Sequence, residues 1–364
     1  MFDLKTISSI LLAALACPLF ADVNVEAVTN NLHLIDTGHA ELNFGYPDNT
    51  FDLQVTAELP DIPNAQIRAR RPSAQALFFG RPDSLAQAVP ALASYAFLGN
   101  PNDTIWVFPA NFSFQNPERT IVGIASTNIP SGSLQNDTFA IELLSVTGPD
   151  GGHFSVFQTD VFGNPLLRMH SAGGIDPATD RIVFHTGTHD HYNYAFTATG
   201  HYTVTLQVRA TNLTGQPLIS SAFQTHWSIG QFPGFRDDDG NDIDDHWEAR
   251  HGFTTPADPN ADPDNDTKSN LEEYLFDTDP KTSDTNTPVF LITTNTDNSI
   301  SLEVDTKEGR QYRLMYSDDL RTWKPGSEKI LGQRATLPFV DDGNGLIQGA
   351  PTNRFYRLDV SSPQ

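Results

Sequence analysis

Two stretches of this chain place oxygen and nitrogen donors at spacings suited to holding cations. From Asp237, oxygen-bearing side chains recur at Asp239, Asn241 and Asp245, then at Glu248. From Asp262 the series repeats as Asp264, Asp266, Asn270 and Glu273. Calcium takes six to eight hard oxygens, and a twelve-residue loop supplies them from positions 1, 3, 5, 9 and 12, with a backbone carbonyl at position 7. Ile243 and Lys268 stand at that carbonyl position, and Glu248 and Glu273 close the loops from the first turn of a following helix. Asp242 and Thr267 occupy the sixth position, where glycine usually makes a sharp turn. They are expected to lower affinity or to force a different local path. Asp277-Thr278-Asp279-Pro280 could add a partial third loop. The cofactor expected here is calcium, as a folding staple rather than a signal.

The second stretch is Thr188-His189-Asp190-His191-Tyr192-Asn193-Tyr194-Ala195-Phe196. On a strand, residues two apart point the same way, so His189 and His191 share a face. Two neutral imidazoles on one face make half of a zinc or copper site. His185 joins them if the strand runs unbroken through Gly187. Candidates for the remaining ligands are His39, His153, His170, Asp190 and Glu41. A solvated or hydrogen-bonded histidine pair is the alternative.

No Gly-x-Ser-x-Gly elbow, phosphate-cradling glycine loop or His-Glu-x-x-His helix occurs. The chain therefore reads as noncatalytic. A pair of carboxylates distant in sequence could still hydrolyse glycosides, so a secreted hydrolase remains an alternative. Aromatic stacking on sugars would make a polysaccharide-binding or adhesive module. Trp106, Trp227, Trp247 and Trp323 are spread along the chain, and each reads as core rather than platform.

The elements that must position these residues fall into three segments. Residues 22–235 read as a β-sandwich, with alternating runs at Ala40–Phe44, Phe51–Val55, Phe139–Leu143 and Tyr202–Val208. Turn clusters at Tyr46–Asn49 and Gly148–Gly152 punctuate them. Pro72–Ala96, richer in Ala and Leu, reads as a short helix or an irregular crossover. Residues 236–287 form the calcium-loop connector, with short helices from Asp245 and from an N-cap at Asn270. Residues 288–364 form a small C-terminal β domain, with alternation at Ser299–Val304, Tyr312–Tyr316 and Arg354–Val360. The fold class is thus mainly β with a small α-containing connector.

Charge and composition bound the rest. The 364 residues carry a net charge of −23. Residues 237–287 hold 13 Asp and 3 Glu against three basic residues, which is −13 of that total. Such a chain repels a phosphate backbone, so nucleic-acid binding is excluded as a reading. Residues 1–21 read as a secretory signal peptide, with Lys5, an apolar run from Ile7 to Ala16, and Ala21 before the mature start. The single cysteine, Cys17, lies inside it, so the mature chain has no disulfide or thiol chemistry. Ala14-Leu15-Ala16-Cys17 faintly resembles a lipoprotein box. No transmembrane helix is expected in the mature chain. The expected location is secreted, periplasmic or cell-surface.

The acidic window resembles the calcium loops of thrombospondin type 3 and dockerin-like proteins. It is especially similar to the Asp-x-Asp-Gly…Trp-Glu…Asn-Leu-Glu-Glu-Tyr pairs of secreted proteins of the Verrucomicrobia and Planctomycetes. Tyr312–Trp323 with Arg354–Leu358 looks like the small C-terminal β module common among them, which has no assigned chemistry. Gly38-His39-Ala40-Glu41, Ile105–Pro109, Val146–Pro149 and His189–Phe196 followed by Gly200-His201-Tyr202 occur in one order. That order resembles the bacterial surface-anchored protein repeat, or choice-of-anchor M domain, over roughly residues 30–212. The chain departs from it at Tyr194, where the family usually has Trp, and in lacking the variable cell-wall anchor. Some members are encoded beside metal-type ABC transporters, so the resemblance implies transition-metal handling at the cell surface, with a cell-envelope component or polysaccharide as partner. In that context His39, His189 and His191 become the first choice of ligands.

Overall fold

The computed structural model describes residues 21–24, 31–58, 67–111, 119–284, 291–349 and 354–363. The expected leader, including Cys17, lies outside them apart from Ala21. The chain is mainly β, as the alternation predicts.

Three sheets share the first core. A six-stranded sheet runs, in spatial order, Ala21–Asn24, Ile67–Pro72, Asp52–Glu58, His39–Gly45, Ile121–Asn128 and His189–His191. A five-stranded sheet runs Pro165–His170, Phe154–Thr159, Asn193–Phe196, Thr104–Phe108 and Ala86–Ala88. The main strands of an eleven-stranded sheet begin Arg181–His185, Leu134–Thr147, Gly200–Asn212, Phe223–Ile229, Ala76–Gly80 and Leu32–Ile35. Period-two patterning places Leu42, Phe44, Val55 and Ile124 of the first sheet against Ile141, Val204 and Trp227 of the last, in a sandwich-like core. The opposite face of the first sheet carries the polar residues of the same strands.

The Ala- and Leu-rich piece expected to be a helix or crossover is mixed. Ala76–Gly80 is a fully buried parallel strand, Pro82–Leu85 is a single helical turn, and Ala93–Leu98 is a two-turn 3-10 helix. A strand buried on both faces loses its alternation, which is why its pattern does not read as β.

The eleven-stranded sheet does not stop at the sandwich. Leu32–Ile35 pairs with Ile330–Leu331, and the sheet continues through Gln311–Ser317 into the C-terminal strands. These pack a second core around Leu302, Tyr312, Leu314 and Leu337. Between the two lies the acidic window, with helices at Asp245–Arg250 and Asn270–Phe276. Asp244 caps the first. The second is capped by Ser269 in a capping box with Glu272, one residue before the expected Asn270, whose side chain instead donates to the Asp258 carbonyl. Ile243, Trp247, Ala257 and Tyr274 form the window's own small core.

Candidate metal centres

The histidine site is assembled by three neighbouring strands. His191 pairs with Gly123, and Gly123 pairs on its other side with Glu41, while His39 pairs with Ile121. Register alone therefore brings His39, Glu41, His189 and His191 to one face around a residue without a side chain. A Cβ at Gly123 would fall 2.8 Å from His189 Nε2 and 3.1 Å from His191 Nε2. Gly123 is thus the floor that makes room for the rings, a role that a lone glycine in sequence does not announce. The loop before His189 is pinned by Ser126, whose backbone N–H donates to the Thr188 carbonyl and whose hydroxyl donates to the His185 carbonyl.

The donors converge. His39 Nε2 lies 3.0 Å from His191 Nε2, and Glu41 Oε1 lies 3.2 Å from His189 Nε2 and 3.8 Å from His39 Nε2. One nitrogen from each histidine lies within 4.8 Å of the others. Donors about 2.0–2.1 Å from a tetrahedral zinc sit about 3.4 Å apart, so the three histidine nitrogens are near enough to share one ion, with the Glu41 carboxylate beside His189 and His39. Glu58 Oε1 lies 3.7 Å from His39 Nδ1, the place of the carboxylate that orients a metal-bound imidazole. Burial first, then the neighbouring rings of His189 and His39, push the His191 pKa down to about 4, so this imidazole is neutral near pH 7.

The other candidates are not brought in. Asp190 faces away, accepting from Gln158 Nε2 at 2.8 Å and from the His191 N–H at 2.9 Å. His170 pairs with Ser155 Oγ, and His153 places its N–H on Thr197. Gly187, at φ 70°, turns the chain, so His185 ends a strand of the eleven-stranded sheet instead of continuing the histidine face. Tyr194, the departure from the family pattern, is a core residue stacked 4.9 Å from Trp227.

The two acidic loops repeat one hydrogen-bond plan. Asp245 N donates to the Arg236 carbonyl, and Asn270 N to the Ala261 carbonyl, closing equivalent rings. Asp237 Oδ2 accepts from Asp242 N as Asp262 Oδ2 accepts from Thr267 N. Asn241 Oδ1 accepts from Ile243 N as Asp266 Oδ1 accepts from Lys268 N. Asp242 and Thr267 adopt φ of 68° and 84°, so the sharp sixth-position turn is made without glycine.

The carboxylates come together in two sets: Asp239, Asp245 and Glu248 in the first loop, and Asp262, Asp264 and Asp266 in the second. Asp237 accepts from the N–H groups of Gly240, Asn241 and Asp242, as Asp262 does from those of Asp266 and Thr267. Asn241 turns its amide nitrogen to Glu248 and to the Ala257 carbonyl. The Ile243 side chain is buried. In the second loop Asp264 Oδ2 and Asn270 Oδ1 are buried without a hydrogen bond, oxygens that a hard cation would satisfy, while Glu273 Oε1 lies 3.6 Å from the Lys268 ammonium. Lys268 adds what the spacing did not suggest: its ammonium lies 3.2 Å from Asp266 and 2.6 Å from Asp284. Asp277 and Asp279 form no third loop: Asp277 pairs with Lys307 and Arg310, and Asp279 caps Lys281 and Thr282.

No family model matches this chain, and no curated protein matches it. Among solved structures, it is similar to one titled "Chaperone-tip adhesin complex is vital for synergistic activation of CFA/I fimbriae biogenesis". The identity is 9%, with 59% of this chain and 86% of that chain covered, at a TM-score of 0.14, too low to carry an argument.

Proposed function

We propose that the protein is an exported, noncatalytic envelope or cell-surface protein that holds a transition metal, zinc or copper, between His39, His189, His191 and Glu41. Calcium in the two acidic loops staples its C-terminal half. The convergence of three imidazoles over Gly123, with Glu41 beside two of them, carries this reading. The resemblance of residues 30–212 to the surface-anchored repeat supports the location. The sugar-platform alternative finds less support, since Trp227 and Trp247 are fully buried.

Elemental analysis of the purified, dialysed protein tests the proposal. It should show zinc or copper in addition to calcium, and His189→Ala with His191→Ala should remove only the former. Retention of the transition metal by that double variant, or none in the parent after loading, would overturn it.

A further inference from the structure

The edge strands of three sheets meet at one cleft. Pro165–His170 ends the five-stranded sheet, Arg181–His185 the eleven-stranded one, and His189–His191 the six-stranded one. Between them opens a cleft of about 520 Å3 whose lining includes Arg168, Arg181, Thr188, His189, Asp190 and Tyr192. It lies beside the histidine site, and His189 belongs to both.

The charge of this cleft is opposite to that of the chain. With 45 acidic residues against 22 basic ones, carboxylate partners are abundant. Yet neither Arg168 nor Arg181 has a carboxylate within 4.0 Å among the described residues. Arg168 donates one bond to Gln158 Oε1 at 3.1 Å, and its Nε is buried without a partner. Asp190, the acidic residue of the lining, is already occupied by Gln158 Nε2 and the His191 N–H. Gln158 thereby holds the acid and the arginine at once. An arginine fork matches a carboxylate in a two-point contact, and the Thr188 hydroxyl, whose proton goes to the His185 carbonyl, keeps lone pairs that can accept from a ligand's alcohol group.

We propose that this cleft binds a hydroxylated carboxylate, held by Arg168 and Arg181. Two sources share that chemistry: a small hydroxycarboxylate, and the uronic-acid units of an acidic polysaccharide.

Equilibrium dialysis of the full-length protein at fixed calcium, against labelled citrate and labelled digalacturonate, tests the proposal. Arg168→Gln and Arg181→Gln should each weaken binding about tenfold, and the pair should abolish it. Arg321→Gln, an exposed arginine outside the cleft, should leave it unchanged. Citrate binding alone identifies the small ligand, digalacturonate alone identifies the uronate, and both identify the shared carboxylate. If neither ligand binds, or if the double arginine variant binds as the parent does, the proposal fails. Metal content is measured separately, so this failure is distinct from loss of the histidine site.

Discussion

At Gly123 the missing side chain is what the histidine site depends on. Gly123→Ala adds one methyl against His189 and His191 in the middle of a paired strand, where the backbone cannot retreat. The rings must move instead. Zinc affinity, read by competition with a chelating dye, should fall about 10–100-fold, as it does when the supports of a metal ligand are disturbed. The melting curve without zinc should shift little. A second histidine pair answers to pH. His201 and His226 stack 5.6 Å apart on the Gly200–Asn212 and Phe223–Ile229 strands. Burial, then His226, pushes His201 down to about 4, and burial lowers His226 as well. In the unfolded chain His201 titrates near 6.5, so between 6.5 and about 4 the unfolded state holds the extra proton. Stability present above pH 6.5 is therefore lost as the pH falls towards 4. Urea midpoints measured across that range should slope downwards with acid, and His201→Gln should flatten the slope. The period-two spacing of His189 and His191 made their shared face legible in the sequence. The part played by Gly123 was not, because it exists only once strands more than 60 residues apart are in register.

At the scale of the element, the shared turn of the two acidic loops was legible, because oxygen-bearing side chains at alternate positions leave a direct imprint on the sequence. What the spacing could not give was the backbone cost. Thr267 holds φ 84° with a β-branched side chain, a conformation costing about 1–2 kcal/mol for a residue with a Cβ. Thr267→Gly should relieve part of that cost, less the extra freedom glycine gives the unfolded chain. The calcium-loaded protein should melt later. Gly240, at φ 76° in the first loop, is the opposite case, and Gly240→Ala should lower the melting temperature by a similar free energy. Both differences should shrink when EGTA removes calcium, since an unfilled loop is freer to leave its strained path. Differences unchanged by EGTA would mean that the loops hold their shape without the ion. Asp284 and the Lys268 ammonium were illegible for another reason. The loop template assigns Lys268 only a carbonyl, and Asp284 lies beyond the template altogether.

For the whole molecule, composition separates three segments, but pairing does not keep them apart. The acidic window contributes to the joint through Tyr274, whose carbonyl accepts from Arg310 Nε at 3.0 Å and whose ring lies 4.1 Å under the same guanidinium. The sandwich and the C-terminal strands also meet directly. Lys329 pairs with Asp36 at 2.8 Å, and Thr306 donates to Asn31 Oδ1 at 2.9 Å. At the centre of this contact Glu328 pairs with Arg71, both fully buried, and lies 2.7 Å from His33 Nδ1. No local pattern could announce a pair separated by 257 positions. Burial disfavours the Arg71 charge, and Glu328 is what offsets it. Glu328→Gln removes that compensation while keeping the volume, so a guanidinium is left uncompensated in the core. The loss should be about 3–5 kcal/mol. Its distribution is the more telling measurement. Because one sheet runs through both cores, calorimetry should show a single transition that moves down as a whole. Two transitions, with the C-terminal one alone displaced, would mean that the segments fold independently. Replacing both partners with apolar residues, Arg71→Met with Glu328→Leu, should recover most of the stability, because the cost of the single change lies in the stranded charge and not in the lost contact.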